Sequence, residues 1–395
     1  MTRGGQAIMR GRVLGGMMAL ALTVGMVSGG TYALAGIGGA AVLYFMAVAV
    51  RRKLLLPHPL ALFFGGGLLA LALLADLTAF APARSWAMTL RLATIIAPLT
   101  LLFIPREPIV WPRWFFYLPW AILGVEIFMI AELGSGGKIL MPFLHAKDDS
   151  LTYYNRGLSY AAVLLWPLCA MLIREKRARL AAALLAGLLI ASWISPSRGA
   201  PLALAAGAAL GSAAWASRRL GFALGLALLG VVAAGSLAAA PWLVEKHQDW
   251  LAHFPPSWRH RVEIWDYLLA RLAENPWIGL GPDAAGALPV GGGHQSLYVY
   301  ALFPAAHPHH VALQLWLELG PLGWLLGAGL AVVCLARMSP WPALERAAGM
   351  AAFGACLTLA CGSFSLWTDS LLALMALTIF WCRHFGVGDD ADVFG

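Results

Sequence analysis

Along this chain the apolar residues do not alternate with polar ones. They come in runs close to 20 residues long, cut by charges, prolines and glycines. A helix needs about 20 apolar residues to cross roughly 30 Å of hydrocarbon, so the runs read as membrane-spanning helices. They fall at 13–29, 32–50, 59–75, 86–104, 115–133, 157–173, 180–195, 200–216, 220–241, 311–335, 347–363 and 370–386. The expected fold class is an all-α integral membrane protein with about 12 transmembrane helices.

The basic residues supply an independent check on that pattern. Clusters at Arg3/Arg10/Arg12, Arg51/Arg52/Lys53, Arg106/Arg113, Arg174/Lys176/Arg177/Arg179, Arg218/Arg219, Arg337/Arg346 and Arg383 occupy the N-terminus, every second loop and the C-terminus. Short basic loops stay in the cytoplasm, so both termini are expected there. The loop around 134–156, the turn at 195–199 and the long insertion at about 242–310 then lie on the opposite side. The chain divides into 1–241 with transmembrane helices 1–9, a helical loop domain at 242–310 between helices 9 and 10, and 311–395 with helices 10–12 and a tail. Arg3, Arg10 and Arg12 precede an apolar run that continues without a convincing cleavage site, so it reads as a retained first span.

Composition removes the other broad classes. Of 395 residues, 61% are hydrophobic and 12% charged, against about 25% charged in an ordinary soluble domain. The net charge of +8 sits in the loop clusters, where it is a topology signal and not a groove for nucleic acid. Cys169, Cys334, Cys356, Cys361 and Cys382 lie in or beside apolar segments with no CxxC pair, so neither a disulfide framework nor a zinc site is expected.

Three features of the outward side carry candidate chemistry. Ser257 through Glu274 is expected to form a helix capped by Ser257, with Trp258, Ile264, Trp265, Leu268 and Leu272 on one face and Arg259, Glu263 and Asp266 on another. Arg261 falls on the apolar side, where a cation needs an anion; snorkelling to lipid headgroups is the plain alternative. Arg198 stands in the tight turn Ser195-Pro196-Ser197-Arg198-Gly199, either an interfacial anchor or a cation held there, against the positive-inside bias, by a ligand. His307-Pro308-His309-His310 precedes the tenth span. No carboxylate or cysteine completes a metal site, so neither metal nor other cofactor is expected. A histidine at the positive end of a helix is kept neutral and able to accept a proton.

Two guanidinium groups and an imidazole at headgroup level suit transfer from a lipid pyrophosphate. Arginine forks bind phosphate oxygens and assist departure of the diphosphate, while histidine deprotonates the attacking hydroxyl. A transporter or flippase for a lipid-linked anion is the other class. It is disfavoured because charges are scarce inside the spans, where Arg91 and Glu126 are the main exceptions.

Ser197-Arg198-Gly199, Arg261-Val262-Glu263-Ile264-Trp265, Pro276-Trp277-Ile278-Gly279-Leu280-Gly281-Pro282, and His309-His310-Val311-Ala312-Leu313-Gln314 with Glu318-Leu319-Gly320, in that order and with a long loop before the last three spans, resemble the bacterial O-antigen ligase and polymerase superfamily over nearly the whole chain. The resemblance implies a GT-C-like, metal-independent, inverting glycosyltransferase. It would move glycan from undecaprenyl pyrophosphate to an acceptor at the periplasmic face of the inner membrane. It also implies that Arg198 and Arg261 grip the pyrophosphate and that His309 activates the acceptor hydroxyl. His310 stands where the family more usually has asparagine, so either histidine could be the base, although the placing of Leu313-Gln314 favours His309. Tyr154-Asn155-Arg156 resembles a second phosphate or sugar contact, or an interfacial anchor. The single late loop and modest length look more like a ligase, with lipid A-core as acceptor, than a polymerase extending a lipid-linked glycan.

Overall fold

The structure, a computed structural model, describes residues 16–27, 59–93, 111–144, 151–274, 276–288, 298–301 and 305–384. The expected second span, 32–50, lies outside them. Among the described residues all regular structure is helical. In chain order the principal helices are α1 (Gly16–Val27), α2 (Leu62–Asp76), α3 (Pro82–Ala93), α4 (Arg113–Gly134), α5 (Leu151–Arg174), α6 (Ala178–Ile194), α7 (Gly199–Ala216), α8 (Arg218–Lys246), α9 (Gln248–Ala252), α10 (Pro256–Glu274), α11 (Val311–Met338), α12 (Ala343–Ala360) and α13 (Asp369–His384). Six of them, α4, α5, α7, α8, α11 and α12, contain a stretch long and apolar enough to cross a bilayer. The chain is thus an integral membrane protein of helices.

One helix boundary differs from the sequence expectation at a proline: Pro241, which ends the expected ninth span, lies inside α8, which runs on to Lys246, while Pro167 lies inside α5 as the 157–173 span allows. In a membrane protein the freed carbonyl finds another donor or neighbouring helices cover it. The loop region therefore starts several residues later than 241.

α5 is the centre of the bundle: 83% of its apolar stretch is buried against protein, compared with 11% for α8. Around it pack α1, α6, α7, α12 and α13. The tightest pairing joins α7 to α12 through small residues. A Cβ added at Gly207 would stand 2.9 Å from Ala351 O, and one at Gly211 would stand 2.9 Å from Ala351 Cβ. Lipid tails are as apolar as leucine, so helices in hydrocarbon associate by close backbone approach, which this small-xxx-small spacing permits.

α11 is broken at Gly320, whose φ of 71° and ψ of −176° are not helical. Pro321 has no N–H to give Leu317 O, and Leu280 N donates to it instead at 2.8 Å; Gly281 N donates to Glu318 O at 3.1 Å. Two segments far apart in sequence, Gly279–Gly281 and Glu318–Gly320, are thereby locked together by the carbonyls that a helix break releases. A Cβ on Gly320 would stand 2.4 Å from Trp277 O, and its backbone conformation, positive φ with extended ψ, costs a non-glycine residue about 1–3 kcal/mol. Gly320→Ala is expected to lower the thermal midpoint measurably, whereas Gly230→Ala, with nothing within 4 Å of the new Cβ, should leave it unchanged or raise it. Equal melting of the two variants would show that the break is not what fixes this junction.

The described loops sort to two ends of the bundle. At one end Arg174 pairs with Glu345 at 3.6 Å, Arg177 lies over the Phe116 ring at 4.1 Å, Arg218 Nε donates to Ser339 Oγ at 3.1 Å and Arg346 Nε donates to Ala214 O at 2.8 Å. At the other end Phe80 N donates to Leu280 O at 3.1 Å, Ser195 Oγ bonds Asn155 Oδ1, and Gln314 Nε2 donates to Ser365 Oγ at 2.9 Å. This second end carries the histidines and is called the histidine end below.

Candidate functional site

At the histidine end a buried carboxylate fixes the start of α5. Glu132 is fully buried and accepts the backbone N–H groups of Ile139, Leu140 and Met141 at 2.9, 3.0 and 3.1 Å, together with the Tyr154 hydroxyl at 2.9 Å. Tyr154, expected at the substrate, therefore lies beneath the rim with its hydroxyl on Glu132. Asn155 Oδ1 accepts from Ser195 Oγ and so ties α5 to the turn before α7. Arg156 comes next and is exposed, with Tyr160 and His307 as electrostatic neighbours.

Arg198 shares this rim through the Ser195–Asn155 bond. Its guanidinium is exposed and engaged by its own turn: one NH group donates to Trp193 O at 2.8 Å, and Cζ lies 5.2 Å from the centre of the Trp193 ring. Gly199 lets the turn close on the loop after α12, since a Cβ there would approach Ser363 Oγ to 2.5 Å.

α10 is the frame for the remaining groups. It begins at Pro256 and not with a cap at Ser257, and Trp258 in its first turn is 40% exposed instead of facing inward. Arg261 donates from one NH group to Ser257 O at 2.8 Å, and its buried Nε has no hydrogen-bond partner. Burial lowers its pKa. One turn on, Trp265 Nε1 donates to Pro308 O at 2.8 Å, and its ring meets His310 edge-on at 5.1 Å. Glu263 is not on a solvated face: it is fully buried and accepts the backbone N–H groups of Val299, Tyr300 and Ala301 at 3.0, 2.7 and 2.6 Å. Asp266 accepts the Tyr298 hydroxyl at 2.8 Å. The segment leading to the histidines is thus clamped to the helix that carries Arg261.

The three histidines have distinct places. His310 has extended backbone, and its Nδ1 accepts Leu313 N at 3.4 Å, so it caps α11. His309 sits at φ 52°, a left-handed conformation rare for a side-chain-bearing residue. Its N–H donates to His307 Nδ1 at 3.2 Å, the two rings lie 3.8 Å apart, and its own buried Nδ1 has no hydrogen-bond partner. Burial pushes the His309 imidazole far below its ordinary pKa, and His307, Arg261 and His260 add to the shift. His307 is pushed down to about 4 by burial, then by Arg261 and Arg156. The structure therefore brings Arg156, Arg261, His307 and His309 into one electrostatic cluster, while Arg198 is joined to it through the turn.

Sequence reasoning missed Glu132, Glu263 and Arg84. Arg84 is bonded to Asp283 Oδ2 at 3.0 Å. A signal for it existed: it is a cation in the outward segment between the third and fourth apolar runs, the same irregularity that singled out Arg198. Among the described residues no group of three His, Cys, Asp or Glu side chains is placed to share a metal ion.

No curated protein and no solved structure matches the chain. Residues 160–328 match the family model described as O-antigen ligase, a stretch that runs from α5 into the kinked α11 and contains Arg198, Arg261 and His309. Over that stretch the chain is similar to the O-antigen ligase/polymerase superfamily, and the match supports a multi-pass, glycosyltransferase-like membrane enzyme.

Proposed function

We propose that this protein is an O-antigen ligase. It transfers a glycan from undecaprenyl pyrophosphate to a sugar hydroxyl of lipid A-core, forming lipopolysaccharide at the periplasmic face of the inner membrane. Both termini lie in the cytoplasm and about 12 spans cross the bilayer. One observation carries the reading: His309, a half-buried imidazole whose buried Nδ1 has no partner and whose pKa is lowered, has Arg261 as an electrostatic neighbour and is in contact with His307, which Arg156 also neighbours. All of these residues come from segments that the basic-loop pattern assigns to the outside.

In this reading Arg261 and Arg156 bind the diphosphate, and Arg198 reaches it by leaving Trp193. His309 takes the proton of the acceptor hydroxyl as that oxygen attacks the anomeric carbon. The C–O bond to the diphosphate breaks on the opposite face, so the anomeric configuration inverts. The lipid diphosphate leaves as an anion stabilised by guanidinium groups, without a general acid or a metal. Tyr154 and Asn155 act by holding Arg156 in place.

A purified preparation supplied with a lipid pyrophosphate-linked glycan and two acceptors decides the class. Product on lipid A-core, unaffected by a chelator, is the expected outcome. Elongation of the lipid-linked glycan alone would make it a polymerase, and translocation without a new glycosidic bond a transporter. Arg261→Ala should weaken donor binding and transfer together.

The pH dependence has a definite sign. In the free protein burial, and after it His307, Arg261 and His260, keep His309 neutral well below pH 6.5, at the cost of basicity. A diphosphate between Arg156 and Arg261 offsets those charges and raises the proton affinity of the imidazole. Activity needs the neutral form, so it falls as pH drops through whichever pKa applies. The acidic limb of kcat, set by the donor complex, is expected at higher pH than that of kcat/KM for the donor, set by the free enzyme. Coincident limbs would separate His309 from the arginines.

A further inference from the structure

Arg84 occupies a place that packing alone does not explain. It lies in the first turn of α3, the positive end of a helix, where a cation is unfavourable and an anion is favoured. Its guanidinium reaches toward the histidines. Both NH groups of Arg84 and the carbonyl oxygen of Ala306 lie within 3.2 Å of where a Cβ on Gly286 would stand, so the group is next to the residue that precedes His307. His307 in turn has Arg156 and Arg261 as electrostatic neighbours. Guanidinium groups from α5 and α10 thus surround His307, and that of Arg84 from α3 lies beside Gly286, where the Ala306 carbonyl also comes.

The partner of Arg84 has the properties of a stand-in. The Asp283 side chain is 15% exposed and that of Arg84 is 49% exposed. Asp283 has a φ of 64° and its backbone N–H is bonded to Glu318, which holds its backbone in place, while Arg84 is the more exposed half of the pair. Carboxylate and phosphate present similar paired oxygens to an arginine fork, and a phosphate carries more charge. We propose that Arg84 is a further phosphate-binding residue of this site, with Asp283 as the counter-ion that a phosphate group of a bound lipid substrate displaces. The inference rests on the ligase reading in that the substrates are phosphorylated lipids; the phosphate can belong to the donor diphosphate or to the acceptor.

The test exploits a difference in sign. If Arg84 binds phosphate, Arg84→Ala raises by about tenfold either the Kd for undecaprenyl pyrophosphate or the KM for a phosphorylated lipid A-core. A dephosphorylated acceptor shows no such change, and the arm affected identifies the source. Asp283→Asn, which frees the guanidinium, shifts the same constant several-fold in the opposite direction. If the pair is only a clasp between α3 and the loop, both variants lower the thermal midpoint and move the constants in the same direction or not at all, which overturns the proposal. Arg156→Ala and Arg261→Ala run alongside. Loss of undecaprenyl pyrophosphate binding in these two with neither constant changed by Arg84→Ala removes Arg84 alone, while unchanged binding in both removes the ligase reading beneath it.

Discussion

Replacing His309 by alanine is expected to reduce transfer by about 10²–10⁴-fold, the usual contribution of a positioned general base, with undecaprenyl pyrophosphate binding largely kept. His310→Asn should retain both activity and stability. The contrast follows from what each imidazole touches. His310 Nδ1 is engaged by the N–H of Leu313, and its ring by Trp265, so the residue does the work of a helix cap. Asparagine is among the preferred residues for that job, offering a side-chain oxygen in place of Nδ1. This gives a physical account of why His310 can stand where the resembling family more usually has asparagine. His310→Ala would remove the cap at about 0.5–2 kcal/mol and fray the first turn of α11, a loss visible in the melting curve. His309 has no such structural duty among the described residues: its Nδ1 is buried without a partner and its backbone is held left-handed. Normal product from His309→Ala, or loss of product from His310→Asn without loss of stability, would reverse the assignment.

Much of the fold is legible because the bilayer imposes it. Run length predicts spans, six of which the structure shows as long apolar helices, and the clusters Arg174–Arg179, Arg218/Arg219 and Arg337/Arg346 in alternate loops predict which loops meet; the structure gathers those described at one end. What local pattern misreads is the destination of individual polar groups. Glu263 three residues from Asp266 looks like a solvated helical face, yet it is fully buried. The consecutive amides that surround it come from residues 299–301, more than 30 positions away in the chain, and no helical spacing reports such a partner. Glu132 is the same case with residues 139–141. Tyr154 was legible as a polar residue at a helix end but not as a donor to a buried acid. Gly279 and Gly320, by contrast, were visible as motif positions without a reason. The reason is the break in α11, where Gly279 adopts a φ of 83° with no room for a Cβ against Glu318.

Glu263→Ala is expected to produce the other large effect, a fall in kcat of about 10²-fold with a much smaller change in donor affinity. The carboxylate holds three backbone N–H groups of the segment that leads into the histidines, and bonds to a charged acceptor contribute about 1.5–3 kcal/mol each. Losing them lets residues 298–301 lift from α10, and the strained backbone at His309, φ 52°, then relaxes toward ordinary conformations. Arg261 and Arg156 stay on their own helices, so the diphosphate still binds, but the imidazole no longer sits where the acceptor hydroxyl arrives. A misplacement of about 1 Å is enough for a loss of this size. Glu263→Gln keeps one acceptor oxygen and turns an NH₂ toward a cluster of donors, so an intermediate loss is expected. It serves as the second variant should alanine prevent folding. Hydrogen exchange at Val299, Tyr300 and Ala301 supplies a readout independent of turnover: these amides should exchange faster in both variants, in the order of the activity loss. Accelerated exchange with an unchanged kcat would mean that His309 keeps its position without the clamp, and Trp265, through its bond to Pro308 O, would then be the residue that holds it.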